Sequence, residues 1–239
     1  MGVQARGKPH NIRLVRAGLI AGVVLAGAVL VAGVADASLP PPGFGRSVDI
    51  GLVSGTVIVT PPGGHSFVLG SGDRNVPLGS LIDTTHGRVD LRAAPPPSRA
   101  GDRAGDRATA AHVEDAQFYD GAFRVTQSAG SPVAQIRLAG GNPAACTAHP
   151  ADRDAARRTP PHKVVRLLWA SGSGTFRTVG HYSAATVLGT RWLTEDFCDG
   201  TLVLVAKGVV VVEDLATHAT VTVRAGHSAF TPAAAAARR

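Results

Sequence analysis

Short apolar runs broken by turn residues set the pattern along most of the chain. Residues 50–60, IGLVSGTVIVT, are rich in β-branched side chains and end at PPGG, which predicts a strand followed by a turn. HSFVLG, VPLGSLIDTT and GRVDLRA continue in the same rhythm, punctuated by Gly or Asp-Thr, as in a β-meander. QFYDGAFRVTQ (117–127) carries Asp120-Gly121, a hairpin turn signal. PVAQIRLAG (132–140) alternates Val133, Gln135 and Arg137 on one face with Ala134, Ile136 and Leu138 on the other. KVVRLLWASGSGTFRTVG predicts two strands joined by a Gly-Ser turn, and ATVTVRAGHSAF (219–230) completes the set. No amphipathic helix of ~10–15 residues alternates with these runs, which argues against a parallel α/β sheet.

The pattern changes at the N-terminus and at two internal stretches. Residues 17–35 are apolar and uncharged, follow a basic segment, and lead into Ala35 and Ala37 at A-x-A spacing. This order predicts a signal peptide over 1–37, with Ser38 as the new first residue. The alternative is an uncleaved anchor, because 19 apolar residues just reach spanning length. Both readings put the rest of the chain outside the membrane, secreted or on its extracytoplasmic face, and only retention of 17–35 would tie it there. A proline-rich linker is expected over 38–50, then a β domain over 51–230. A low-complexity insert with a tandem AGDR (93–116) and an irregular insert (140–162) interrupt it, and 231–239 reads as a disordered tail.

Composition narrows the function. The net charge of +7 is partly carried by Arg6, Lys8, Arg13 and Arg16, ahead of the apolar run. The other basic residues are scattered, and no groove-reading or base-stacking motif accompanies them, so no nucleic-acid partner is expected. There are two cysteines, Cys146 and Cys198. An oxidising compartment favours pairing them over leaving two buried thiols. A bridge would close a loop of about 50 residues and stabilise by ~4 kcal/mol on the chain-entropy model. Two cysteines and scattered histidines do not make a zinc motif. No G-x-S-x-G elbow, H-E-x-x-H or phosphate loop is present. The chain is therefore expected to be neither an enzyme nor a carrier of a cofactor or metal.

The densest stretch is TVLGTRWLTEDFCDGTLVLVAKGVVVVEDL. Val187, Gly189, Arg191 and Leu193 fall on one strand face, and Leu188, Thr190, Trp192 and Thr194 on the other. Gly189 inside a strand predicts a bulge or a close backbone approach. Trp192 reads as a core plug, with a ligand-stacking platform as the alternative, and Arg191 as the partner of a carboxylate, Glu195 or Asp196, in preference to binding an anion. Adjacent Glu195 and Asp196 point to opposite faces and cannot act together as an acid–base pair. Asp199-Gly200 predicts a turn. The valine run, apolar on both faces, predicts strands covered on both sides. Lys207-Gly208 interrupts it as a hairpin or sharp corner.

These residues resemble the FecR domain, the extracytoplasmic part of iron-dicitrate-type sensor proteins. The positions that match its pattern are Val187, Gly189, Thr190, Arg191 and Trp192, then Lys207, Gly208, Val209, Val210 and Val211, then Ala225 and Gly226. His227 stands where the family usually has Gln. GTVIV…VPLGSLIDTTHGRVDL is similar to the family's opening strands, and GTVIV…VPLGS is echoed by GTLVL…VRAGHS. The resemblance implies a mainly β fold of short stacked antiparallel strands, roll- or solenoid-like, with a separate N-terminal apolar helix. In it Gly189, Thr190, Arg191, Trp192, Gly208 and Gly226 would be structural. The function expected is a binding or scaffold module at the cell envelope, with an unknown envelope protein or polysaccharide as partner. The alternative is a membrane-anchored sensor element passing a signal through its helix.

Overall fold

The computed structural model describes residues 41–96, 114–142, 146 and 163–233. The chain divides at Ala37/Ser38, and every described residue belongs to the second unit. The N-terminal apolar segment, most of both inserts and most of the C-terminal tail lie outside the described residues. Among the described residues there is no α-helix, and no helix long and apolar enough to cross a membrane.

The fold is mainly β. Among the described residues thirteen strands form one sheet: β1 (Ser47–Thr60), β2 (Phe67–Val68), β3 (Asp73–Pro77), β4 (Leu81–Ala93), β5 (Glu114–Tyr119), β6 (Ala122–Ser128), β7 (Ser131–Ala139), β8 (Val164–Val179), β9 (Ser183–Phe197), β10 (Gly200–Lys207), β11 (Val209–Asp214), β12 (Thr220–Arg224) and β13 (Ser228–Pro232). β1 already begins at Ser47, inside the stretch expected as linker, because Val48 and Ile50 belong to the core.

Four long strands organise the sheet, and each changes partner half-way. The C-terminal half of β4 pairs with β5 and its N-terminal end with β6. The first half of β8 pairs with β5 and its second half with β7. β9 pairs with β11 up to Val187 and with β10 from Arg191 onward. One end of the long strands thus reads β13-β10-β9-β8-β5-β4-β1-β3, and the other β12-β11-β9-β8-β7-β6-β4-β1-β2. The two halves meet along a crease. It runs through Gly55 and Gly87, paired across β1 and β4, the Asp120-Gly121 jog, the irregularity between Gly172 and Thr175, Gly189, Gly208, and the turn at Ala225–His227.

Bulges and glycines let a sheet turn a corner and pack on itself. Here the sheet folds at the crease into a nearly closed, barrel-like body with its core between the two halves. Trp192 of the first half donates its indole N–H to Thr178 Oγ1 of the second at 3.0 Å. Phe118 of the first half meets Phe176 and Phe123 of the second, with ring centroids 5.7 and 5.0 Å apart. All four rings are fully buried, together with Ile50, Ile82, Leu91, Ile136 and Leu168.

The crease explains where the strand pattern misleads. Asp120-Gly121 makes no hairpin: β5 and β6 run in the same direction along one edge of β4. Asp120 has φ 63°, and the Thr84 hydroxyl and N–H both donate to the Gly121 carbonyl, so the chain is stepped aside rather than reversed. The Gly-Ser stretch of β8 is likewise no turn. The strand passes through it as an irregularity, because β9 bends alongside at Gly189. The strands are not all short, since β1, β4, β8 and β9 hold 14, 13, 16 and 15 residues. One pair, β7 with β8, is parallel.

The echo has a structural counterpart. Each GT run pairs with the strand after its own glycine-serine or glycine-histidine-serine turn, Val59 with Ile82 and Val203 with Ala229. Cys146 and Cys198 are joined by a disulfide, with Cα atoms 5.2 Å apart. The bridge pins the connection between β7 and β8 to the end of β9.

Candidate functional site

The motif residues of β9 to β13 lie on the crease and beside it. Gly189 has φ +63° with open space where a Cβ would stand, so it is the backbone angle, not a close approach, that calls for glycine. Gly208 has φ +85° and also sits tight: a Cβ there would meet Thr190 Cβ at 2.7 Å and the Gly189 carbonyl at 3.0 Å. The Thr190 hydroxyl donates to the Lys207 carbonyl, tying the two strands at the corner. Lys207-Gly208 is therefore a corner and not a hairpin, since β10 and β11 both run antiparallel to β9. Gly226, φ +80°, turns β12 into β13.

The bend at Gly189 also resets the side-chain alternation. Val187 was expected on the face of Arg191, yet it is buried on the core side with Thr190, Trp192 and Thr194. The valine run is covered on one face only. Val210 and Val212 are buried, whereas Val209 and Val211 are 38% and 42% exposed.

Arg191 meets neither of the carboxylates expected for it, Glu195 or Asp196, among the described residues. Asp196, nearly fully buried, receives Arg166 Nε at 2.7 Å, the His181 N–H at 2.8 Å and the Thr201 hydroxyl at 2.5 Å. It locks β8, β9 and β10 together beside the disulfide. Arg191 instead turns to aromatic rings on the outer face of the first half. Its Nε donates to Tyr119 Oη at 3.0 Å, and its guanidinium lies 5.1 Å from the Trp169 ring centre.

That outer face is the strongest candidate for a contact surface. Register aligns Arg88, Tyr119, Trp169 and Leu193 across β4, β5, β8 and β9, with Leu204 of β10 beyond. Tyr119 and Trp169 stack with planes 6° apart and centroids at 6.2 Å. Arg88 lies 3.9 Å over the other face of Tyr119, which leaves that ring 6% exposed. Arg191 covers Trp169. The result is a guanidinium–aromatic ladder, and such stacked contacts are worth ~0.5–2 kcal/mol each.

Neither Arg88 nor Arg191 has a carboxylate partner among the described residues; Arg88 Nη1 donates to Gln117 at 3.3 Å. Leu167, Leu193, Leu202 and Leu204 continue the face as a half-buried apolar strip. Glu195 stands between Leu167 and Leu202, and burial there pushes its carboxyl above the ordinary value.

A recess opens beside the β8–β9 and β11–β12 turns. A cleft of about 590 Å³ is lined by His181, Tyr182, Asp214, Leu215, Thr217 and Pro232. Its carboxylate is already engaged, since Asp214 accepts the Ala216 and Thr217 N–H groups, which hold its pKa down. Among the described residues no group of His, Cys, Asp and Glu is arranged to hold a metal ion.

Compared with protein-family models, with curated proteins and with solved structures, the chain matches none. Of the ladder, sequence reasoning found only Arg191, and gave it the wrong partner. Arg88, Tyr119 and Trp169 come from three other strands, and their spacing in the chain carries no trace of the row. The one available signal was Trp169 itself, one of only two tryptophans in the chain.

Proposed function

We propose that the chain is an exported, non-enzymatic binding module of the cell envelope, related to the FecR type, which contacts its partner through the outer face of β4, β5, β8, β9 and β10. The ladder of Arg88, Tyr119, Trp169 and Arg191 carries this reading. Tryptophan, tyrosine and arginine are the residues that concentrate binding energy at interfaces. Here they lie beside an apolar strip on a sheet, with guanidinium donors that no carboxylate among the described residues uses. A surface of this kind fits a partner with anionic groups flanked by apolar surface, an envelope protein or an acidic polysaccharide. The disulfide agrees with an oxidising compartment. The buried Asp196, the Thr178–Thr194 pair and Trp192 have their polar atoms taken up in holding strands together, which fits an architectural role for the core-facing side of β9, whereas Arg191 on its outer side belongs to the contact surface.

The test is retention of the purified chain on envelope material isolated from its source cells. Arg191→Ala and Trp169→Ala should each weaken retention about tenfold or more, and added salt should weaken the wild type. Retention equal to wild type in both variants, with folding intact, would remove the outer face from the function.

A further inference from the structure

The outermost strand on one side of the sheet is built from β12 and β13, joined at the Ala225–His227 turn. On the other side β2 and β3 take this place. An unpaired edge offers backbone donors and acceptors to any other strand, and proteins blunt such edges with proline, charge or brevity.

Two of these edges are blunted in the same way. The Leu78 N–H donates inward to Arg46, so by alternation Pro77 of β3 faces outward, where its missing N–H leaves a gap. The Ala233 N–H donates inward to Asp199, so Pro232 of β13 faces outward too. β2 has only two residues.

β12 lacks the proline of β3 and β13 and is longer than β2. Its sequence is TVTVR, with no proline and with one charge at its end. The Ala225 N–H donates inward to Gly208 and the Ala219 carbonyl accepts inward from Asp214. By the same alternation the N–H and C=O groups of Thr220, Thr222 and Arg224 point outward. All three residues are exposed. On the core side of the same strand Val221 is 51% exposed, although its cross-strand partner Val212 is buried.

We propose that β12 pairs antiparallel with β12 of a second copy of this chain, about a two-fold axis at Thr222. In this register Thr222 faces its own copy and Thr220 faces Arg224, so the outward groups match and form about six hydrogen bonds. Val221 meets Val223 of the partner subunit, which extends the core row across the junction and covers the exposed valine. On the outer face, Val211 and Thr222 of both copies form one row. Arg224 lies opposite the partner's Thr220, beyond which stands the partner's Glu213, so opposite charges share a row and like charges do not meet. The interface is isologous and closes at two subunits.

Sedimentation of the full chain over a concentration series reads the association. A monomer–dimer equilibrium is expected. Thr222→Pro removes one outward N–H from each copy, at an edge position that tolerates proline, and should raise the dimer dissociation constant about tenfold or more. Its thermal unfolding midpoint, extrapolated to low concentration, should stay at that of the wild-type monomer.

Thr222→Cys supplies a second reading that does not depend on affinity. Directly opposed hydrogen-bonded residues have Cα atoms ~5.5 Å apart, within disulfide range. Mild oxidation should therefore give a cross-linked dimer, whereas Thr217→Cys, beyond the paired segment, should not cross-link. A chain that is monomeric at every concentration, or that dimerises with Thr222→Pro unaffected and Thr222→Cys uncrosslinked, overturns the proposal.

Discussion

Trp192→Ala tests whether the two halves of the folded sheet are held together as described. The side chain is fully buried. An indole buries ~150–250 Å², which at ~25 cal/mol per Å² sets an upper limit of about 4–6 kcal/mol. Large-to-small deletions of this kind cost ~3–5 kcal/mol. The indole N–H is also donated to Thr178 Oγ1, which shares a 2.8 Å hydrogen bond with Thr194. Truncation leaves that hydroxyl pair facing a cavity, which favours the upper part of the range. For a domain of this size, each kcal/mol shifts the unfolding midpoint by ~2–4 °C, so a fall of roughly 6–20 °C is expected.

Scanning calorimetry or near-ultraviolet circular dichroism reads the midpoint. Trp192→Phe keeps most of the apolar volume and loses the hydrogen bond, and should cost only ~1–2 kcal/mol. An unchanged midpoint for Trp192→Ala would show that the indole does not join the halves. Equal damage from Phe and Ala would mean that the hydrogen bond, not the burial, carries the effect.

Gly208→Ala should destabilise by more than ~1 kcal/mol, because φ is +85° and the new Cβ would press on Thr190; Gly226→Asn, at φ +80° in open space, should cost only a few tenths, as chemical denaturation can measure. Glu195 sits where burial raises its pKa, so the folded state holds its proton more tightly than the unfolded state. Its contribution is therefore complete below the ordinary value of 4.5 and is lost as pH rises through the folded pKa. Glu195→Gln should then stabilise the chain at neutral pH and have little effect in acid; a gain independent of pH would refute the linkage.

The sequence by itself determined the class of structure and several of its fixed points. Period-two alternation is a local property, so it marked Ala134, Ile136 and Leu138 as a buried face and the chain as mainly β. A turn was legible at Asp199-Gly200 because turn chemistry is local, and the β9–β10 hairpin forms one residue earlier, with Cys198 and Asp199 as its two turn residues and Gly200 opening β10. With only two cysteines there was one possible pair, and the structure joins them. Trp192 was placed in the core by its alternation and by the scarcity of other aromatics.

What the tertiary structure decided is everything that depends on the crease. Asp120-Gly121 and Lys207-Gly208 read alike as turn signals, but a left-handed residue only bends the chain. Whether it returns along itself or continues beside the same neighbour depends on that neighbour, β4 or β9 in these cases. Gly189 was legible as an irregularity, yet its effect on Val187 was not, since alternation cannot be carried through a residue that breaks it. Arg191 found Tyr119 and Trp169 rather than a nearby carboxylate because strand pairing brings residues 72 positions apart within 3.0 Å, whereas Asp196 lies on the opposite face of β9 and Glu195 stands on the same face beyond Leu193. The outer ladder and the open edge at β12 are likewise products of strand order. Strand order follows from how the bent sheet closes over a shared core, and no local pattern encodes it.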